Sequence, residues 1–213
     1  MSEIRFDGQV VIVTGAGGGL GRSHALEFAR RGAKVVVNDL GGSVDGSGGS
    51  SAAAEAVVAE IKAAGGEALA DGASVTDDVG VANLVQRTMD AWGRIDVLIA
   101  NAGILRDKSF SKMEIADFDA VMNVHLMGTV KPVKAIWEIM KTQNYGRIVV
   151  TTSSTGLYGN FGQTNYGAAK LSLVGFMNTL KLEGQKYNIH VYAISPVAAT
   201  RRTENLMPPQ MLE

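Results

Sequence analysis

The 213-residue sequence predicts an α/β fold, one domain built on a parallel sheet with helices covering both faces. Three observations predict it. Short runs of branched aliphatics alternate with longer stretches whose apolar residues recur three or four apart. A cluster of glycines follows the first run and leads into a helical stretch, and an aspartate closes the second run.

The strand candidates are VVIV (10–13), KVVVND (34–39), IDVLIA (95–100), RIVVTT (147–152) and IHVYAI (189–194). Each is short and apolar on both sides, the pattern of a strand buried on two faces in a parallel sheet. A weaker strand is expected in EALADGASV (67–75), just before a helix start at Thr76-Asp77. Helical spacing covers residues 20–31, 52–64, 77–92, 122–141 and 167–187, and Gly32 and Gly65-Gly66 stand where helices should stop. Residues 41–51 (GGSVDGSGGSS) read as a mobile, low-complexity loop inside the domain. No internal repeat is evident, and the length suits one domain spanning 1–213.

Composition removes several function classes. Net charge is −1 with the charges scattered, so no nucleic-acid partner is expected. The absence of cysteine excludes disulfides, thiolate nucleophiles and zinc-thiolate or iron-sulfur ligation. His24, His125 and His190 are far apart in sequence, so no metal site is expected. The amino terminus carries no signal core, and no apolar run approaches the roughly 20 residues that span a bilayer. The expectation is a cytoplasmic protein with no membrane partner.

Ser153 precedes by thirteen residues a pair, Tyr166 and Lys170, that helical spacing places on one face. A free phenol titrates near 10 and is a poor base at neutral pH, but a fixed ammonium beside it stabilises the phenolate. Lowering that pKa by roughly 3 units corresponds to about 4 kcal/mol. Such a tyrosine takes a proton from an alcohol or returns one to a ketone. Ser153 would donate a hydrogen bond to the reacting oxygen. The neighbours Ser154 and Thr155 fit the spacing less well, and Ser154 is expected to pack or bond backbone. Tyr158, Phe161 and Trp137 are read as core rather than acyl-pocket residues, and Met122, Val133, Ile136 and Met140 as a packing stripe.

The turn TGAGGGLG, Thr14 to Gly21, has glycines at 15, 19 and 21, where a tight turn, a close-approaching pyrophosphate and close helix packing would need them. Asp39, at the end of the second strand, would accept hydrogen bonds from adenosine ribose hydroxyls and repel a 2′-phosphate. Neither Gly18 nor Leu40 supplies a cation, and only Arg22 lies nearby, so NAD is expected over NADP.

TGAGGGLG, the NAG at 101–103, Ser153 and the Tyr166-x-x-x-Lys170 pair, in this order and spacing, resemble the short-chain dehydrogenase/reductase family from about residue 6 onward. The resemblance implies a Rossmann-type doubly wound sheet with strand order 3-2-1-4-5-6. It implies a cofactor site of Gly15, Gly19, Leu20, Gly21, Asp39, Ser74, Val75, Asn101, Ala102, Gly103 and Pro196, with Tyr166 and Lys170 at its nicotinamide end. Asn101 would also stabilise the central sheet, and Lys170 would bond the nicotinamide ribose. VVVNDLGG, NAGILRDKSF and VHLMG are further similar to the (3R)-hydroxyacyl-CoA dehydrogenase domains of multifunctional β-oxidation enzymes and their bacterial single-domain relatives. That implies an acyl-CoA substrate; a hydroxysteroid or small cyclic alcohol is the competing enzyme reading. A dinucleotide binder without turnover is the competing non-enzyme reading, but it has no use for a tuned phenol. A homodimer or homotetramer pairing the helices around 114–141 and 163–187 is implied as well.

The chain also departs from the family pattern. His125 stands where most members carry an asparagine of a proton relay, and it is read equally as a relay or as a packed histidine bonding backbone. Asn123, two residues earlier, competes for the role from a different helix face. Ser74 replaces an aspartate often found against adenine, and Pro196-Val197 replaces Pro-Gly. Family members continue past a Met-Pro segment with a helix and a seventh strand. The chain is therefore expected to be a fragment lacking that strand, with residues 202–213 beginning a substrate-covering helix.

Overall fold

The computed structural model describes residues 3–196. Six parallel strands form one sheet in the order β3-β2-β1-β4-β5-β6. They are β1 Val10–Thr14, β2 Lys34–Asn38, β3 Glu67–Asp71, β4 Val97–Ala100, β5 Gly146–Thr151 and β6 Ile189–Ile194. The order is the one the resemblance implied. Val11 lies opposite Val35 of β2 and Val97 of β4, so β1 sits at the reversal of winding. The connections leaving β1 and β4 diverge there and open a crevice at the carboxyl ends of the strands.

The strands are apolar throughout because each is buried twice. Val11, Val13, Val35 and Val37 pack under α1 (Gly19–Arg30) and α2 (Ala52–Ala63) through Ala25, Val57 and Ile61. Ile12, Leu98 and Ile148 face the other way, toward Leu84 of α3 (Asp78–Trp92), Ile136 of α5 (Gly128–Gln143) and Leu173 of α7 (Thr164–Gly184). The expected packing stripe holds: Val133, Ile136 and Met140 are buried, and Met122 packs beside Val121 and Ala169. The helix start near Thr76-Asp77 is an Asp77 cap that accepts from the Gly80 amide at 2.9 Å. No helix among the described residues is long and apolar enough to cross a membrane.

Four features differ from the sequence reading. Of the stretch read as one helix over 122–141, only 128–141 belongs to α5; Asn123–Met127 is a π-helical turn, and Met122 ends a separate helix, α4 (Ile115–Met122). The wider turn accommodates an extra residue, and α5 packs closely at its start, where a Cβ on Gly128 would lie 2.6 Å from Val75 Cγ2. A five-residue helix, α6 (Ser154–Tyr158), follows Ser153, and Ser154 is exposed on it rather than packed. Tyr158 and Phe161 are 86% and 90% exposed, so they are not core residues; Trp137 does pack against the core. The 41–51 stretch closes on itself: the Ser43 amide donates to the Ser47 carbonyl at 2.8 Å, and the Ser47 amide and hydroxyl both donate to Asp45 Oδ1. The Ser43 hydroxyl first, then the Ser47 amide and hydroxyl, hold the Asp45 carboxyl down to about 2. The expected substrate-covering helix at 202–213 lies outside the described residues.

Candidate active site

A cavity of about 520 Å³ occupies the crevice. Its walls are the glycine turn at 15–20, residues 38–44, residues 73–75, and 101–104 with Val124. A second groove of about 530 Å³, between Trp137, Leu182 and Tyr187, lies by the carboxyl ends of α5 and α7 and holds none of the expected site residues.

β1 ends at Thr14 and the chain turns sharply at Gly15, whose φ of +63° is left-handed and whose Cβ would stand 2.8 Å from Ala102 Cα. A Cβ on Gly21 would lie 2.1 Å from the Gly15 carbonyl oxygen, so α1 reaches the turn only because that position is glycine. Gly19 opens α1 and Leu20 faces the cavity. Gly17, absent from the expected set, is equally constrained: its Cβ would meet Ala53 Cβ at 2.7 Å and Asp39 Oδ2 at 2.9 Å.

Asp39 follows β2 and is held from both sides. Its Oδ2 accepts from the Gly17 amide at 2.7 Å and its Oδ1 from the Gly41 amide at 2.6 Å. The carboxylate thus pins the glycine turn while keeping further lone pairs for a ligand. Arg22 is engaged elsewhere, donating to both oxygens of Glu60 at 2.6 and 2.7 Å. Ser74 and Val75 form the far wall, with Ser74 Oγ 2.9 Å from Thr76 Oγ1.

Asn101 joins the ends of β4 and β1. Its Nδ2 donates to the carbonyls of Thr14 and Gly15 at 3.1 and 3.0 Å. The backbone amides of Asn101 and Ala102 both donate to the Thr14 hydroxyl at 3.1 Å. Thr14 is the second residue missed in the sequence; a hydroxyl in a buried strand end gives no motif on its own. Gly103 completes this wall, and its Cβ would lie 2.2 Å from His125 Cε1.

The proton-handling side chains meet at the carboxyl ends of β4 and β5. Ser153 follows β5, is half-buried and caps α6, its Oγ accepting from the Thr155 amide at 3.2 Å. The short helix then packs on α7, with a Cβ on Gly156 placed 2.8 Å from the Leu171 amide. Lys170 is 3% exposed and donates from Nζ to the Thr151 carbonyl at 2.6 Å, while the Thr152 hydroxyl donates to the Lys170 carbonyl at 2.7 Å. These bonds fix the end of β5, and so Ser153, against the first turns of α7. Lys170 Nζ lies 5.5 Å from the centroid of the Tyr166 ring. The His125 ring stands edge-on to the same ring at 5.2 Å and 87°.

His125 is 1% exposed on the π-helical turn, with Nε2 at 2.8 Å from the Ile104 carbonyl oxygen and 3.2 Å from the Ile104 amide. It therefore bonds backbone and also touches Tyr166. Asn123 is exposed on a different face. Pro196 is half-buried just past β6 and is not part of the cavity wall. The other expected cofactor and catalytic residues cluster at this one edge of the sheet.

A parallel sheet wound in this order, with a glycine turn and a strand-end carboxylate at the reversal point and a Tyr-Lys pair on the helix beside it, defines a dinucleotide-type oxidoreductase. The chain belongs to the short-chain dehydrogenase/reductase family: the short chain dehydrogenase model matches residues 9–209. It is 55% identical over 205 residues to the Mycobacterium tuberculosis short-chain type dehydrogenase/reductase Rv0148, covering 96% of this chain and 72% of that protein. To peroxisomal multifunctional enzyme A of Dictyostelium discoideum it is 57% identical over 99% of this chain, but it spans only 47% of that protein. To mouse peroxisomal multifunctional enzyme type 2 it is 54% identical, spanning 28% of that protein. Among solved structures, a short chain dehydrogenase from Mycobacterium avium superposes with a TM-score of 0.83 at 46% identity, over 95% of this chain and 72% of that one. A 7α-hydroxysteroid dehydrogenase in complex with NADH and 7-oxo glycochenodeoxycholic acid superposes with a TM-score of 0.88 at 29% identity, over 97% of this chain and 77% of that one.

Proposed function

We propose that the chain is an NAD-dependent dehydrogenase that interconverts a secondary alcohol and a ketone, with a (3R)-3-hydroxyacyl-CoA as its alcohol. The observation that carries the reaction class is the buried Lys170 side chain with Nζ 5.5 Å from the Tyr166 ring centroid at the carboxyl ends of the strands. The glycine cradle, which a Cβ at 15, 17 or 21 would fill, supports a dinucleotide whose pyrophosphate lies over the start of α1. NAD, when bound, supplies the acceptor for the hydride that leaves the alcohol carbon. Ser153 holds the alcohol oxygen, Tyr166 as phenolate takes the hydroxyl proton, and Lys170 stabilises that phenolate. In ketone reduction the same phenol returns the proton. His125 orients Tyr166 through its edge contact and anchors the 103–104 segment.

Asp39 supports NAD over NADP: a carboxylate fixed at the end of β2 accepts from ribose hydroxyls and repels a 2′-phosphate, and the nearby Arg22 is already paired with Glu60. In the Asp39→Asn variant, which keeps a carbonyl oxygen but loses the charge, NAD is expected to bind roughly 30-fold more weakly, as for loss of a charged hydrogen bond. One of the Gly17 and Gly41 amides also loses its acceptor, which affects both cofactors alike, so NADP should weaken less than NAD; equal losses for both cofactors by calorimetric titration would sink the selectivity argument.

The acyl-CoA assignment is supported by the similarity to the peroxisomal multifunctional enzymes and to the peroxisomal hydratase-dehydrogenase-epimerases, 53% identical in yeast. A hydroxysteroid is the second reading, favoured by the 7α-hydroxysteroid dehydrogenase neighbour. The family pairing of helices supports a homodimer or homotetramer. A panel of (3R)- and (3S)-3-hydroxyacyl-CoA, a hydroxysteroid and a cyclic alcohol, each with NAD and NADP, tests the proposal through appearance of reduced cofactor. No turnover of any acyl-CoA overturns the substrate assignment, and NAD binding with no turnover of any alcohol favours a pure binder.

A further inference from the structure

We infer that Arg106 is a positioning residue: it latches the 43–47 turn across the cavity and ties that turn to the backbone that places Tyr166. The inference rests on the cavity being the dinucleotide site, as proposed above. Ser43, Val44 and Gly46 line the cavity, and Val44, Asp45 and Gly46 meet three consecutive residues, Ile104, Leu105 and Arg106. The Leu105 amide donates to the Val44 carbonyl at 2.9 Å. Arg106 Nε donates to the Asp45 carbonyl at 3.0 Å. Gly46, at φ +90°, lies flat on Ile104, where a Cβ would come within 3.1 Å of Cγ2.

The same three residues face the catalytic helix on their other side. Ile104 is bonded by His125 Nε2, and the Arg106 carbonyl accepts from Asn165 Nδ2 at 3.0 Å. Asn165 is fully buried, and its Oδ1 accepts from the Tyr166 amide at 2.7 Å. The Arg106 guanidinium also meets Asp117 of α4 through Nη1 at 3.3 Å, a carboxylate shared with Lys108 Nζ at 2.8 Å. Lys108 and Arg106 hold the Asp117 carboxyl below the usual carboxylate range. One side chain therefore spans the cavity-covering turn and α4, while its main chain holds the residue next to the reacting phenol. A ligand that presses on residues 43–46 acts on the same three-residue segment that sets Asn165 and the start of α7.

The test is NAD titration by calorimetry together with amide hydrogen exchange, with and without NAD, on wild type, Arg106→Ala and Arg106→Lys. In wild type NAD slows exchange both at 43–47 and at the Tyr166 amide. In Arg106→Ala the NAD dissociation constant rises about tenfold, the loss of one charge-assisted hydrogen bond, and the NAD-linked slowing is reduced at 43–47 and at Tyr166, the main-chain bonds of 104–106 being all that remains of the link. Arg106→Lys keeps a charge facing Asp117 without the fork, so its melting temperature stays near wild type while the NAD effect at Tyr166 is still reduced. Wild-type NAD affinity together with undiminished NAD-linked slowing in both variants overturns the latch alone. Failure of wild type to bind NAD overturns the dinucleotide reading beneath it.

Discussion

Tyr166→Phe is expected to lower kcat for alcohol oxidation by about 10³-fold or more, the loss typical of removing a positioned acid/base group. Its NAD dissociation constant should stay within about twofold of wild type, since ring packing alone is worth about 0.5–1.5 kcal/mol and phenylalanine retains it. The His125 ring meets the aromatic edge at 5.2 Å, and Lys170 Nζ sits 5.5 Å from the ring centroid. Both contacts survive the substitution, and only the ionisable oxygen is lost. Initial rates and NAD titrations on the same preparation separate the two effects. Wild-type turnover in the variant would show that another group handles the proton.

Gly21→Ala has the largest expected effect on the cofactor side. The added methyl would lie 2.1 Å from the Gly15 carbonyl oxygen and 2.6 Å from Asn101 Nδ2. The nearest obstacle is backbone, so no rotamer change relieves it. Either α1 lifts from β1 or the turn opens, and the Asn101 bonds to the Thr14 and Gly15 carbonyls are strained with it. Overpacking of this kind costs about 1–3 kcal/mol or more. For a domain of this size that is a melting temperature lower by roughly 2–12 °C. NAD affinity should fall at least about 100-fold, because the amides that face the pyrophosphate move with the helix start. Unchanged melting and NAD affinity would contradict the packing role given to this glycine.

Much of this arrangement is legible in the sequence because each element announces itself locally. VVIV and KVVVND read as strands since burial on both faces removes polar alternation, and those runs became β1 and β2. Gly15, Gly21 and Asp39 stand out because a tight turn leaves few residue choices. Tyr166 and Lys170 are one helical turn apart, so their shared face needs no tertiary information. What stayed hidden is long-range. Gly17 matters because Ala53 and Asp39 arrive beside it from α2 and β2. The π-helical turn that buries His125 and exposes Asn123 leaves the apolar spacing after it intact, so the helix read from 122 ran straight through it. α6 is too short for any periodicity to register. Tyr158 and Phe161 looked like core residues by type, but the glycine-rich end of α6 carries both to the surface. Composition made 41–51 look mobile, whereas its serines and Asp45 bond one another and its backbone docks on 104–106.

The central claim is that Lys170 makes Tyr166 a base at neutral pH. The pH dependence of kcat/KM for alcohol oxidation, in wild type and in Lys170→Met, tests it most directly. The phenol must be ionised to accept the proton, so the rate falls as pH drops through its apparent pKa. The account predicts a wild-type acid limb well below the value of about 10 for a free phenol, displaced upward in Lys170→Met. Superimposed profiles, or a wild-type limb already near 10, would contradict it.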